Sequence, residues 1–304
     1  MQFARMAAAA LAIACLGWTQ AQAQEQQDRA RAFVDSVSFT SSANALARWD
    51  NRICVGAVGL AADQAQALVD RISGRAQQVG LRPGAPGCQA NVMVIYAPDS
   101  DRLSREIVEQ RRDLLGYLPD DGRVTAGREA MEDFANQPRA IRWWHVSSTG
   151  RGSLRPVDGL TYQGTGMSSA AAAAGEGGGP GSSGGDSALD IQGAEAVRTN
   201  GSRTRVEVRS NDLTYALVVV DARRVANVPA QAWMDYVAFV ALAQIDASAR
   251  VESYPTVLNI FNNGATATGM TSWDEAYLAG LYDARTEVAN RQAAAISRRM
   301  ARSQ

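Results

Sequence analysis

The sequence predicts an α+β protein, a mixed sheet packed by helices around one long central helix. Three observations carry that expectation. A β-α-β-α order is readable from Ile53 onward, a valine-rich strand stands in the second half, and the most apolar helix of the chain follows that strand. With 304 residues, 46% hydrophobic and 20% charged, the chain is long enough to bury a sizeable core.

Ile53 to Leu60 reads as a strand, and the residues after it place Ala65, Leu68, Val69, Ile72, Ala76 and Val79 at helical spacing before Gly80. Ala90 to Tyr96 is nearly all apolar, as in a strand covered on both faces. Asp99 or Ser100 then caps a helix running towards Gly116. A strand, crossover helix and strand of this length imply parallel pairing. Ala140 to Ser147 alternates Ile141, Trp143 and His145 with Arg142, Trp144 and Val146, so both faces of that strand carry a large aromatic and both need cover.

Further on, Thr204 to Arg209 and Leu213 to Asp221 are expected to form a hairpin about Ser210-Asn211-Asp212. Pro229 opens the apolar helix, from about Ala230 to Asp246; its Trp233, Met234, Tyr236, Val237, Phe239, Val240 and Leu242 leave hardly any polar stripe, so it is central and buried. Tyr254 to Asn263 is irregular. A closing helix starts at Ser272, where Ser272-Trp273-Asp274-Glu275 fits a capping box, packs through Tyr277, Leu278, Leu281 and Tyr282, and continues solvated beyond Asp283 towards Arg302. Between the halves, Gly164 to Ser187 is almost wholly Gly, Ser and Ala. A coil of that composition spans roughly 25 to 30 Å and reads as a loop interrupting a single domain over residues 24–304, the alternative being a linker between two domains.

The scarce residues exclude much chemistry. All 30 basic residues are Arg, against 31 acidic ones, and the chain has one His and three Cys. A net charge of -1 gives no general attraction to nucleic acid. Without Lys there is no Schiff-base enzyme and no phosphate-loop Lys, and one imidazole cannot build a site that needs two or three. No cofactor is called for.

Met1 to Arg5, the apolar Met6 to Trp18 and Ala21-Gln22-Ala23 read as a secretory signal peptide over residues 1–23, which places the protein in the periplasm or outside the cell. The competing reading makes Cys15 a lipid-modified N-terminus, since Ala12-Ile13-Ala14 precedes it. No segment of the mature chain reaches the about 20 apolar residues of a transmembrane helix. Cys54 and Cys88 then stand as an even pair in an oxidising compartment and are expected to form a disulfide, the alternative being two buried thiols.

Gly269-Met270-Thr271-Ser272-Trp273-Asp274 followed by Ala279-Gly280-Leu281-Tyr282, together with the order of sheet, buried helix, irregular turn and closing helix, resembles the metzincin-like branch of the zincin fold. The resemblance spans Arg48 to Asp283. It implies a methionine-turn equivalent at Val257-Leu258-Asn259-Ile260-Phe261 and puts the H-E-x-x-H motif on Val240-Ala241-Leu242-Ala243-Gln244, where both His and the Glu are gone. Catalytic zinc needs two imidazoles one helical turn apart and a carboxylate beside the first. Val240 and Ala241 supply none of these, and Gln244 offers one neutral amide.

The resemblance therefore implies a protein that keeps the architecture without the metal site, acting by binding an unknown envelope protein or ligand, or structurally. Gln244 and Asp246, with His145, are the residues expected to line any cleft left beside the helix. The alternative is a divergent periplasmic hydrolase using His145 or carboxylates, although there is no Gly-x-Ser-x-Gly elbow.

Overall fold

The computed structural model describes residues 22–38, 46–50, 52–115, 127–149, 211–262, 267–284 and 289–303. Most of the expected leader, including Cys15, the Gly/Ser-rich 164–187 and Thr204–Arg209 lie outside them. An α+β fold is present. A helix the sequence did not suggest, α1 (22–37), comes first. It is followed by β1 (Arg52–Ile53), β2 (Val55–Val58), α2 (Ala62–Gln78), β3 (Arg82–Pro83), β4 (Val92–Ala97) and α3 (Ser100–Gln110). After a short 3-10 turn at Arg112–Leu115 come α4 (Gly127–Asn136), β5 (Ile141–Thr149), β6 (Asn211–Asp221), α5 (Ala222–Val225) and α6 (Ala230–Leu242). A second 3-10 turn at Val257–Asn259 leads to α7 (Ser272–Asp283) and α8 (Ala289–Arg302).

The main sheet has the order β2-β4-β6-β5. β2, β4 and β6 are parallel, with Val55 opposite Val92 and Val92 opposite Ala216. β5 closes the edge antiparallel to β6, Ile141 facing Val220 and Thr149 facing Asn211. The expected turn at Asn211-Asp212 is therefore strand. Its partner is β5, because the apolar run of β6 is buried on both faces and takes a neighbour on each edge.

Each face of the sheet is covered. On one, Val92, Val94, Ile141, Trp143, Val218 and Val220 pack with α1, α2, α6, α7 and α8 in the main core. On the other, Trp144, Tyr215, Leu217 and Val219 meet Ile107 of α3 and Met131 and Phe134 of α4. The two adjacent tryptophans of β5 thus enter different layers, as the alternation predicts. α6 lies against α2, α7, β5 and β6, which is why every residue from Ala232 to Leu242 is buried. α2 shows the ordinary surface pattern instead, burying Leu68, Ile72 and Ala76.

Cys54, between β1 and β2, is bridged to Cys88, just before β4, with Cα atoms 6.0 Å apart. The parallel β2–β4 pairing brings them together at the start of both strands. Gly84 packs on the bridge: a Cβ there would fall 2.4 Å from the Cys88 sulfur.

Other boundaries differ from expectation. The strand expected over Ile53 to Leu60 is interrupted at Cys54 and ends at Val58. α6 stops at Leu242, with Ala243 extended, four residues before Asp246. The cap of α7 is Thr271 and not Ser272, its hydroxyl accepting from the Asp274 N–H while the Asp274 carboxylate accepts from the Thr271 N–H. The helix beyond Asp283 is not one solvated continuation. α8 is a separate helix that buries Gln292, Ala293, Ile296 and Met300 against the core. Gly280 permits that approach, since a Cβ there would lie 2.8 Å from the Ile296 Cα.

Candidate functional site

The C-terminal end of α6 is buried, so its last carbonyls cannot turn to water. Three side chains from distant segments satisfy them. His145 Nε2 lies 2.7 Å from the Val240 oxygen, Trp49 Nε1 donates to Ala241 at 2.9 Å, and the Tyr282 hydroxyl donates to Leu242 at 2.7 Å. Because a carbonyl only accepts, the His145 proton belongs on Nε2. The helix C-terminus favours a cation, but the ring is only 4% exposed. Burial wins over the bond to Val240 and brings the His145 pKa down to about 4. The imidazole is neutral at neutral pH and occupied as a helix cap.

The helix end also fixes the segment where the zincin motif falls. Val240 and Ala241 are fully buried in the main core. Gln244 stands beyond the end of α6, in extended chain, and is half-buried. Val240 and Gln244 therefore do not share a helical face. Among the described residues, no group of three or more His, Cys, Asp or Glu is placed to hold a metal ion.

Gln244, Asp246 and His145 do come together. They line one half-open pocket at the edge of β5, where the chain leaving α6 passes beside it. Trp143 Nε1 pins that chain by donating to the Ile245 carbonyl at 2.8 Å, and Ile245 bridges back to Ser38. Asp246 is partly committed: its Oδ1 accepts from the Ser248 N–H and hydroxyl at 2.8 and 2.7 Å. Among the described residues no hydroxyl reaches His145, so no nucleophile and base stand in contact.

The sequence reading missed the opposite wall, formed by Asp133 and Phe134 of α4, Arg139 before β5, and Arg142. Arg142 is 1% exposed. One of its terminal nitrogens donates to Ser100 Oγ at 2.7 Å and the other to Asp101 and the Gln137 carbonyl. Asp101 also takes a two-pronged bond from Arg224, at 2.7 and 2.8 Å. The guanidiniums of Arg224 and Arg142 outweigh burial and hold Asp101 well below the ordinary carboxylate range. Asp221, at the end of β6, closes the cluster. Burial raises it, but its bonds from the Arg224 N–H and from Ser100 leave it lowered overall. Only the Asp99 helix start and the polar end of β6 hinted at this network, because the three segments that meet in it, around Ser100, Arg142 and Asp221, lie 41 to 123 residues apart.

Two further buried carboxylates belong to the scaffold. Asp235, on α6, holds Arg75 at 3.2 Å and the Met270 N–H at 3.1 Å. Asp274 accepts from Thr256 Oγ1 at 2.5 Å, from the Val257 N–H at 2.8 Å, and from Thr271. Burial nevertheless raises its pKa to about 6.

Fold and site together define an α+β protein with helices on both faces of a mixed sheet, one disulfide, and a polar pocket at the antiparallel edge. Comparison of the chain with family models, with curated proteins and with solved structures finds no match.

Proposed function

We propose that this is an exported, non-catalytic protein of zincin-like architecture that acts in the cell envelope by binding, through the pocket beside the end of α6. The observation that carries the reading is the state of the α6 terminus. Where a catalytic zincin presents two imidazoles and a carboxylate, this chain presents the core aliphatics Val240 and Ala241 and, beyond the helix end, the amide of Gln244, and its one histidine caps the Val240 carbonyl. A general base needs a pKa near the working pH and a free nitrogen aimed at the reacting proton. An imidazole at about 4, bonded through Nε2 to the backbone, argues against the alternative of a His145-dependent hydrolase.

Export is supported by the leader and by the disulfide, a bond that persists in oxidising compartments. No helix among the described residues is long and apolar enough to cross a membrane. The test combines metal analysis of the purified protein with a peptide and ester substrate panel on the wild type and His145→Gln. Stoichiometric zinc, or hydrolysis that disappears in the variant, overturns the reading.

A further inference from the structure

We infer that the pocket at the β5 edge receives a small zwitterion of the amino-acid class, its carboxylate on Arg139 and its ammonium on Asp133 and Asp246. This rests on the proposal that the pocket is a binding site. Some of the charges in the pocket are already committed within the fold. The terminal nitrogens of Arg142 are used by Ser100, Asp101 and the Gln137 carbonyl, yet its buried Nε–H has no acceptor. Arg139 is half-buried, and its carbonyl accepts from Arg142 and Arg224, but its guanidinium has no ion pair or hydrogen bond among the described residues. On this side of the pocket the Arg139 guanidinium is therefore the donor with nothing among the described residues to receive it.

The other side holds the opposite. The Asp133 carboxylate is half-buried and unpaired among the described residues, and Asp246 uses only Oδ1 for Ser248. Gln244 adds an amide with no hydrogen bond among the described residues, and Phe134 with the two tryptophans of β5 gives the lining an apolar part. A pocket with one unpaired guanidinium and two carboxylates repels a phosphate dianion, which would meet two negative charges for one positive. A bare cation would meet Arg139. A molecule with a carboxylate at one end and an ammonium at the other satisfies both sides at once, and such charge-assisted bonds are the strong ones.

The test uses the full-length protein and three probe sets: the common L-amino acids, their amides, which lack the carboxylate, and their N-acetyl forms, which lack the ammonium. Binding is read by ligand-observed NMR and titration calorimetry. At least one free amino acid should bind saturably, with its amide and its N-acetyl form weaker by about tenfold or more. Arg139→Gln should cost the free amino acid a similar factor and leave the amide unchanged, and Asp133→Asn should do the same relative to the N-acetyl form. Neither side chain has an ion pair or hydrogen bond among the described residues, so both variants should keep the wild-type melting temperature. Absence of binding by all three sets overturns this inference and leaves the binding reading to the metal and hydrolysis tests above. An N-acetyl form that binds as well as its parent and depends on Arg139 overturns the zwitterion alone, leaving a carboxylate site. Binding indifferent to both substitutions places the ligand elsewhere and overturns the inference.

Discussion

The ring Nε2 of His145, on β5, sits 2.7 Å from the carbonyl oxygen of Val240, four-fifths of the way along α6. The contact crosses 95 residues of sequence and ties the sheet edge to the end of the core helix. Removing it by His145→Ala leaves a cavity and an unpaired buried carbonyl, so unfolding in urea should show a loss of roughly 2 to 4 kcal/mol. His145→Gln, which keeps a neutral donor, should lose less. Equal losses in the two variants would mean that the hydrogen bond contributes nothing.

The same residue sets a pH dependence that Asp274 opposes. His145 titrates near 4 in the folded chain, below the 6.5 of an unperturbed imidazole. The unfolded state therefore binds more protons in that window, and the His145 contribution to stability, complete above 6.5, falls away as pH drops through 4. Asp274 is raised from 3.8 to about 6, so its folded form binds the extra proton and stability rises as pH falls across that range. Each effect is on the order of 3 kcal/mol, and they have opposite sign. Wild-type stability should change little between pH 6.5 and 4.5 on their account, whereas His145→Gln should become more stable on acidification. Asp274→Asn should become less stable. Denaturant midpoints at both pH values check this, and parallel curves for all three proteins would refute it.

The α7 cap distinguishes two neighbouring residues. Thr271→Ala removes the hydroxyl that receives the Asp274 N–H and whose single proton has the Pro255 carbonyl and the Asp274 carboxylate within reach, and should cost about 1 to 2 kcal/mol. Ser272 is exposed and makes no capping bond, so Ser272→Ala should stay within about 0.5 kcal/mol of wild type. Thermal unfolding of the two variants side by side decides it.

In the Arg142 cluster the two ends of one ion pair should behave unequally. Asp101→Asn leaves a guanidinium that is 1% exposed without its counter-charge and should cost about 3 kcal/mol. Arg142→Met leaves Asp101 still paired with Arg224 and should cost less. A larger loss for the arginine variant would contradict the geometry.

The disulfide predicts that full-length protein, denatured without reductant, exposes no alkylatable thiol from Cys54 or Cys88. Reduction should lower stability by roughly 3 to 4 kcal/mol for a loop of this length. Peptide mapping after alkylation and urea titration with and without reductant measure both.

What the sequence determined by itself was whatever depends on neighbours along the chain. Helical spacing placed α2, two uniform apolar runs placed β4 and β6, and the alternation in Ile141 to Val146 put His145 and Arg142 on opposite faces. The even pair of cysteines was legible for the same reason, since the β2–β4 unit carries both. Tertiary structure alone decided where the hydrogen bonds of buried ends go. α6 ends at Leu242 because Trp49, His145 and Tyr282, from three different elements or loops, satisfy its carbonyls, and no local pattern encodes such a cap. α8 looked solvated because its composition is rich in alanine and arginine, yet its Ile296 and Met300 are buried where Gly280 admits it. The polar pocket was half legible. Gln244 and Asp246 stood out as polar residues beside an apolar helix, whereas Arg139 and Asp133 became part of the site only when the sheet edge brought them opposite.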